Sequence, residues 1–304
     1  MMIRSILCST DFSEFSRRAL EQAVTVARWY GAQLTVVHVY PFMTVGTDAP
    51  YFASGLPLDA STRARLLADL EAAVAPTQAA GLAAKVLLLE GDPSEEILRR
   101  ARTVPTDLIV MGTHGRRGFA RWMLGSVATR VVQKARCAVL TVPQPSEEGG
   151  LGATTYQTIL CPVDLFASER TIEAAASVAK VSKARLTLLH VLEHLHDREA
   201  IARLAHIEWG EFEVRLERDT RERLRQAALS QGVGADAVDE WVMTGKPYQE
   251  ILKAAEARGA TLIVMGIHGS NPIERLFVGS TALQVLRGAR CPVLTVRSAE
   301  GEAK

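Results

Sequence analysis

One glycine pattern occurs twice in this chain, 154 residues apart. Gly112-Thr113-His114-Gly115 is followed by nine residues and then Gly125-Ser126, and Gly266-Ile267-His268-Gly269 by nine residues and then Gly279-Ser280. Each copy follows the same four letters, Leu108-Ile109-Val110-Met111 and Leu262-Ile263-Val264-Met265. Each leads into a segment of helical period, then a cysteine and an apolar run. A strand, a glycine-bearing loop and a helix start can together present backbone N–H groups to an anion. Two copies in register make this a duplicated domain with two candidate anion sites.

The rest of the chain keeps the same rhythm. In the first half, residues 3–8, 33–40, 85–90, 107–111 and 138–142 read as strands, and residues 15–30, 56–80, 93–103 and 126–136 as helices. In the second half, 158–163 matches 3–8 and 186–191 matches 34–39. Gly245-Lys246-Pro247 matches Gly91-Asp92-Pro93, and 291–296 matches 137–142. Strands separated by helices imply parallel pairing with right-handed crossovers. The expected class is α/β, with two tandem doubly wound parallel sheets carrying helices on both faces. Residues 143–155 are rich in Pro, Gly, Ser and Glu, as a linker is. The boundary falls near Gly150, giving a first domain at 1–145, a linker at 146–156, a second domain at 157–298 and a tail at 299–304. One difference between the halves is expected: 195–231 reads as a long charged helix with a solvated face, set against a loop at 41–58.

Composition excludes some classes of function. A chain of 304 residues with 48% apolar and 23% charged residues fits two globular domains. A net charge of +1 gives no reason to expect nucleic acid or an anionic membrane as partner. The apolar runs have strand length, no signal peptide is read at the N-terminus, and a cytoplasmic location is the default. Cys8 and Cys161 fall in the first strand of each half, and Cys137 and Cys291 open the last. They read as buried reduced thiols rather than a zinc or disulfide framework.

The residues around the glycines carry the chemistry. Glycines at 112, 115 and 125 let backbone approach a phosphate. Ser126 can cap the following helix or bond a phosphate oxygen. Arg116 and Arg117 can add charge-assisted bonds. Asp11, at the end of the first strand, has two readings of equal weight: a cap for the helix from residue 13, or an acceptor for ribose or adenine. His114 and His268 read first as packing or backbone-bonding residues, with proton transfer as the lesser reading. His190, His194 and His196 lack a Cys or carboxylate pair to complete a metal site. A Walker loop and a Gly-x-Gly-x-x-Gly fingerprint are both missing, and spacing suggests no catalytic set.

Gly-x2-Gly-x9-Gly-Ser, the early Asp and the His-Val pairs His38-Val39 and His190-Val191 resemble the universal stress protein family, as two consecutive domains, and its ATP-binding branch. The resemblance implies Rossmann-like five-stranded sheets of order 3-2-1-4-5, with an adenine nucleotide at each switch point. It implies ATP as cofactor, with Mg or Mn, and pairing of the two domains through their last strands. A homodimer of chains is left open. By carry-over, Thr10, Asp11 and Val39 would meet adenosine. Met111, Gly112, His114, Gly115 and Arg116 would lie along ribose and phosphates, and Gly125, Ser126 and Val127 on the phosphate tail. The second site would use Val163, Asp164, Val191, Met265, Gly266, His268, Gly269, Gly279, Ser280 and Thr281. There Ser13 is matched by Phe166, and Arg116-Arg117-Gly118 by Ser270-Asn271-Pro272, so the first half is expected to bind ATP more tightly. The role implied is a nucleotide-dependent stress sensor or regulator. The alternatives are a slow ATP hydrolase or self-phosphorylating protein, with Ser126 or Thr10 as acceptor, and a nucleotide-independent interaction module.

Overall fold

The computed structural model describes residues 1–41, 58–113, 124–143, 155–164, 169–193, 209–267 and 279–297. Two compact units divide the chain, residues 2–144 and residues 145–304. In the first, β1 (Ser5–Ser9), α1 (Glu14–Tyr30), β2 (Gln33–Tyr40), α2 (Ala60–Ala79) and β3 (Ala84–Glu90) are followed by α3 (Pro93–Thr103), β4 (Leu108–Gly112), α4 (Ser126–Lys134) and β5 (Ala138–Val142). In the second, β6 (Thr158–Pro162), α5 (Glu169–Ser182), β7 (Arg185–Leu192), α6 (Trp209–Ser230) and β8 (Val238–Thr244) precede α7 (Pro247–Ala257), β9 (Leu262–Gly266), α8 (Ser280–Gly288) and β10 (Val293–Val296).

The strands of the first unit are ordered β3-β2-β1-β4-β5 and those of the second β8-β7-β6-β9-β10. Both are the order 3-2-1-4-5, with every pair inside a unit parallel. The central strands explain themselves by composition. Ile6, Leu7 and Cys8 of β1 and Leu108 to Met111 of β4 are all buried, because a parallel strand covered on both faces has no polar side to alternate with. Helix α1 seals one face with Ala19, Leu20, Ala23, Val26 and Ala27, a stripe at helical spacing.

Three readings need correction. Cys137 and Cys291 do not open the last strands: β5 begins at Ala138 and β10 at Val293. Cys137 is only half-buried, whereas Cys8, Cys161 and Cys291 are buried. Burial pushes the Cys8 and Cys291 thiols up to about 12, so both stay protonated and inert at neutral pH. The described part of the charged stretch also matches a helix of the first half and not the segment 41–58. Helix α6 holds the place in the second unit that α2 holds in the first, between the second and third strands. Residues 42–57 and 194–208 lie outside the described residues.

Candidate functional site

In a sheet of this order the crevice for a ligand lies beyond the carboxyl ends of the strands, where the order reverses. That point is between β1 and β4, and between β6 and β9. Register brings the two strand ends level: Cys8 pairs with Val110, so Ser9 and Thr10 emerge beside Met111 and Gly112. Val39 lies one strand over, where Tyr40 and Val39 of β2 pair with Glu90 and Leu89.

The turn leaving β1 is tied at every residue. The Thr10 amide donates to the Val37 carbonyl at 2.9 Å. Thr10 Oγ1 accepts the Phe12 amide at 3.1 Å and donates to Ser16 Oγ at 3.0 Å. Asp11 Oδ1 accepts both the amide (3.0 Å) and the hydroxyl (2.5 Å) of Ser13. The helix cap is Ser13, whose side chain accepts from the Ser16 amide. Asp11 is therefore not the cap of α1: it makes the Asx turn that delivers the capping serine. Phe12 carries the geometric tension of the turn, with φ at 63°, a region that an aromatic residue seldom adopts. Its ring lies 4.6 Å from the His38 ring, tilted by 46°.

Both units fasten this turn with the histidine of the His-Val pair singled out in the sequence, His38 and His190. His38 Nδ1 lies 2.8 Å from the Thr10 carbonyl oxygen, and His190 Nδ1 lies 2.9 Å from that of Val163. A carbonyl oxygen only accepts, so Nδ1 carries the proton in each ring. Thr10 and Val163 each immediately precede the acid of their half, Asp11 and Asp164. The signal available in the sequence was positional: each histidine sits next in register after the last pair of its strand with β1 or β6, Ser9 with Val37 and Pro162 with Leu189.

Across the switch point the second element is a helix start. The Gly125 amide donates to the Thr113 carbonyl at 2.8 Å, and the Gly279 amide to the Ile267 carbonyl at 2.8 Å. These bonds hold the beginning of α4 against the exit of β4, and that of α8 against the exit of β9. Ser126 does not cap α4: it is the first helical residue, and Gly125 is the cap, with no side-chain bond. Gly279 caps α8 in the same way, ahead of Ser280 and Thr281. Ser13, Asp59 and Asp92, in contrast, close the starts of α1, α2 and α3 with side-chain oxygens. Lys246 at α7 gives no such bond either.

Neither glycine cap is required by its own backbone, since φ is −57° at both. At Gly279 a Cβ would meet, among the described residues, only the Ile267 carbonyl oxygen, at an ordinary 3.8 Å. Gly266 is a different case, because a Cβ there would lie 3.3 Å from Thr171 Oγ1 on the incoming α5. Among the described residues, packing thus accounts for Gly266 and not for Gly279. The uncapped amides at the start of each helix carry the partial positive charge of the helix end.

The structure thus gathers Thr10, Asp11, Val39, Met111, Gly112, Gly125, Ser126 and Val127 at the carboxyl edge of one sheet. Val163, Asp164, Val191, Met265, Gly266, Gly279, Ser280 and Thr281 occupy the matching edge of the other. Val39, Met111, Val163 and Met265 are buried, and Ser126 and Ser280 are exposed. His114, Gly115, Arg116, His268 and Gly269 lie outside the described residues, as do His194, His196, Phe166, Arg117 and 270–272. Among the described residues no group of three or more His, Cys, Asp or Glu could hold a metal ion. Among them, too, no helix is long and apolar enough to cross a membrane.

The profile described as "Universal stress protein family" matches residues 2–143 and again residues 155–297. A universal stress protein of Methanocaldococcus jannaschii is 34% identical over 154 residues, covering 48% of this chain and 86% of that one. The crystal structure of a universal stress protein from Archaeoglobus fulgidus overlays with a TM-score of 0.67 at 21% identity, covering 99% of this chain and 98% of that one. A second protein of that organism, solved in complex with dAMP, matches 46% of this chain and 98% of its own at 26% identity and a TM-score of 0.35.

Proposed function

Since the chain belongs to the universal stress protein family, as two consecutive copies of its domain, we propose that it binds ATP at each switch point and acts as a nucleotide-dependent regulator of a stress response. The observation that carries this reading is the pair of glycine-capped helices. Glycine caps a helix without a side-chain oxygen and ranks below Ser and Asp, which three other helix starts in this chain use instead. At Gly279 neither φ nor packing among the described residues explains the choice. An anion seated on the helix start does: it takes the amide bonds that a capping oxygen would take, and a side chain there would occupy its place.

The residues fit a nucleotide on both sides of the crevice. Uncapped amides from Ser126 onward suit the phosphates, and the buried faces of Val39 and Met111 suit a flat apolar base. Asp11 is an acceptor for ribose hydroxyls. A divalent ion, Mg or Mn, would arrive on the phosphates rather than in a protein cage, as Mg commonly does.

Two measurements test the reading. Denaturing freshly purified protein and identifying released nucleotide by mass spectrometry should give ATP at one to two equivalents per chain. Gly125→Asp and Gly279→Asp should each remove one equivalent while leaving the fold as stable as before, since Asp is itself a good cap and its carboxylate repels phosphate. Wild-type protein that releases no nucleotide and takes up none on titration with ATP and magnesium would sink the proposal. Release of ADP alone would move slow hydrolysis to the front.

A further inference from the structure

We infer that His38 and His190 are positioning residues for nucleotide recognition, each acting through the backbone turn that carries the acid of its half; the inference rests on the nucleotide reading above. The juxtaposition is made twice. The two units differ at many positions, yet each places a histidine Nδ1 within 2.8 or 2.9 Å of the carbonyl oxygen just before Asp11 or Asp164. The residue supplying the carbonyl is not the same, Thr10 in one unit and Val163 in the other. What has been kept is the bond to the main chain, not a contact to a particular side chain.

The bond has a definite consequence. A strand end beyond its last ladder pair is free to fan outward, and the acid on it would follow. The Thr10 and Val163 amides already donate to Val37 and Leu189, at 2.9 and 2.8 Å. The histidine supplies the opposite constraint by donating to the carbonyl of the same residue, so both backbone polar groups of that peptide segment are held by the second strand. In the first unit the Phe12 ring against His38 adds a third hold on the turn, at the residue whose φ is 63°. A turn fixed this way presents its acid to a ligand without ordering it on binding, which is how preorganisation raises affinity.

Packing alone and positioning predict different rankings of two variants. Asparagine carries an N–H at the Nδ1 position and keeps the bond, whereas leucine fills the space and loses it. ATP titration of the full chain by calorimetry, beside nucleotide-free thermal unfolding, reads both. His38→Leu should weaken one class of site by about tenfold, and His38→Asn should stay within about threefold of wild type, even where the leucine variant is the more stable. His190→Leu and His190→Asn should repeat this at the other class, and carry the test if His38→Leu does not fold.

Wild-type binding left unchanged by the leucine variants would overturn the positioning role, as would asparagine variants that lose as much as the leucine ones. A wild-type chain that takes up no ATP would overturn the nucleotide reading itself, and the positioning role with it.

Discussion

At Lys183 a lysine holds φ at 58°, where the first half has Gly31 at 63°. Both residues follow the last turn of the helix after the first strand. In both halves the next amide reaches back into the helix, Ala32 to the Ala27 carbonyl at 2.9 Å and Ala184 to that of Ala179 at 3.0 Å. The left-handed conformation is thus demanded by the helix ending, and only glycine adopts it without strain. Lys183→Gly should raise stability by about 0.5–1 kcal/mol, and Gly31→Ala should lower it by about 1 kcal/mol although its Cβ would have open space. Urea unfolding of the two variants checks both signs. The same scale shows what a sequence hides. Asp11 and Ser13 are both cap-forming residues two positions apart, and composition alone could not say that the serine caps while the aspartate makes the turn before it. The histidines were visible as letters, but their bond to a main-chain carbonyl depends on strand register, which no single residue announces.

Helix starts separate the two halves at the element scale. Asp92 caps α3 by accepting the Glu95 amide at 3.0 Å, while its counterpart Lys246 gives α7 no side-chain bond and sets a positive charge at a positive helix end. Hydrogen bonding by the Ser94 hydroxyl, then by the amides of Glu95 and Ser94 and the charge of Arg130, holds the Asp92 carboxyl below its ordinary 3.8. A carboxyl depressed in the folded state stabilises above its unfolded value and loses that contribution as pH falls through the folded one. Asp92→Ala should therefore cost about 1 kcal/mol at neutral pH, with wild type and variant converging well below pH 3.8. Lys246→Asp should gain about as much in α7. Thermal unfolding across a pH series follows both. Most elements were legible because the helices and strands carry clean periods, and β2, α3 and β5 agree with the sequence reading to the residue. Helix α6 was expected as a helix but set against 41–58 instead of α2, because its buried stripe is thin. Thr220, Leu224 and Ala228 face inward amid charge, at the same spacing as Leu66, Leu70 and Val74 of α2.

For the whole molecule, duplication doubles the candidate site without making the two copies equal. The scaffold is repeated closely: strand order, the histidine bond and the glycine cap recur in both units. In sequence the halves differ where Arg116 and Arg117 are matched by Ser270 and Asn271, and Ser13 by Phe166. A shared scaffold implies similar amide contributions to the phosphates from α4 and α8. The loss of two cations removes charge-assisted bonds, each of which contributes about 1.5 kcal/mol or more when made, so the affinities should differ by at least about tenfold. Calorimetric titration of the intact chain should accordingly resolve two steps, with the tighter one abolished by Gly125→Asp and the weaker one by Gly279→Asp. Raising the salt concentration should narrow the gap, because contacts between full charges are screened more than those to the amides at a helix start. Loss of the tighter step in the Gly279→Asp variant would place the stronger site in the second half and show that the two arginines do not set the ranking.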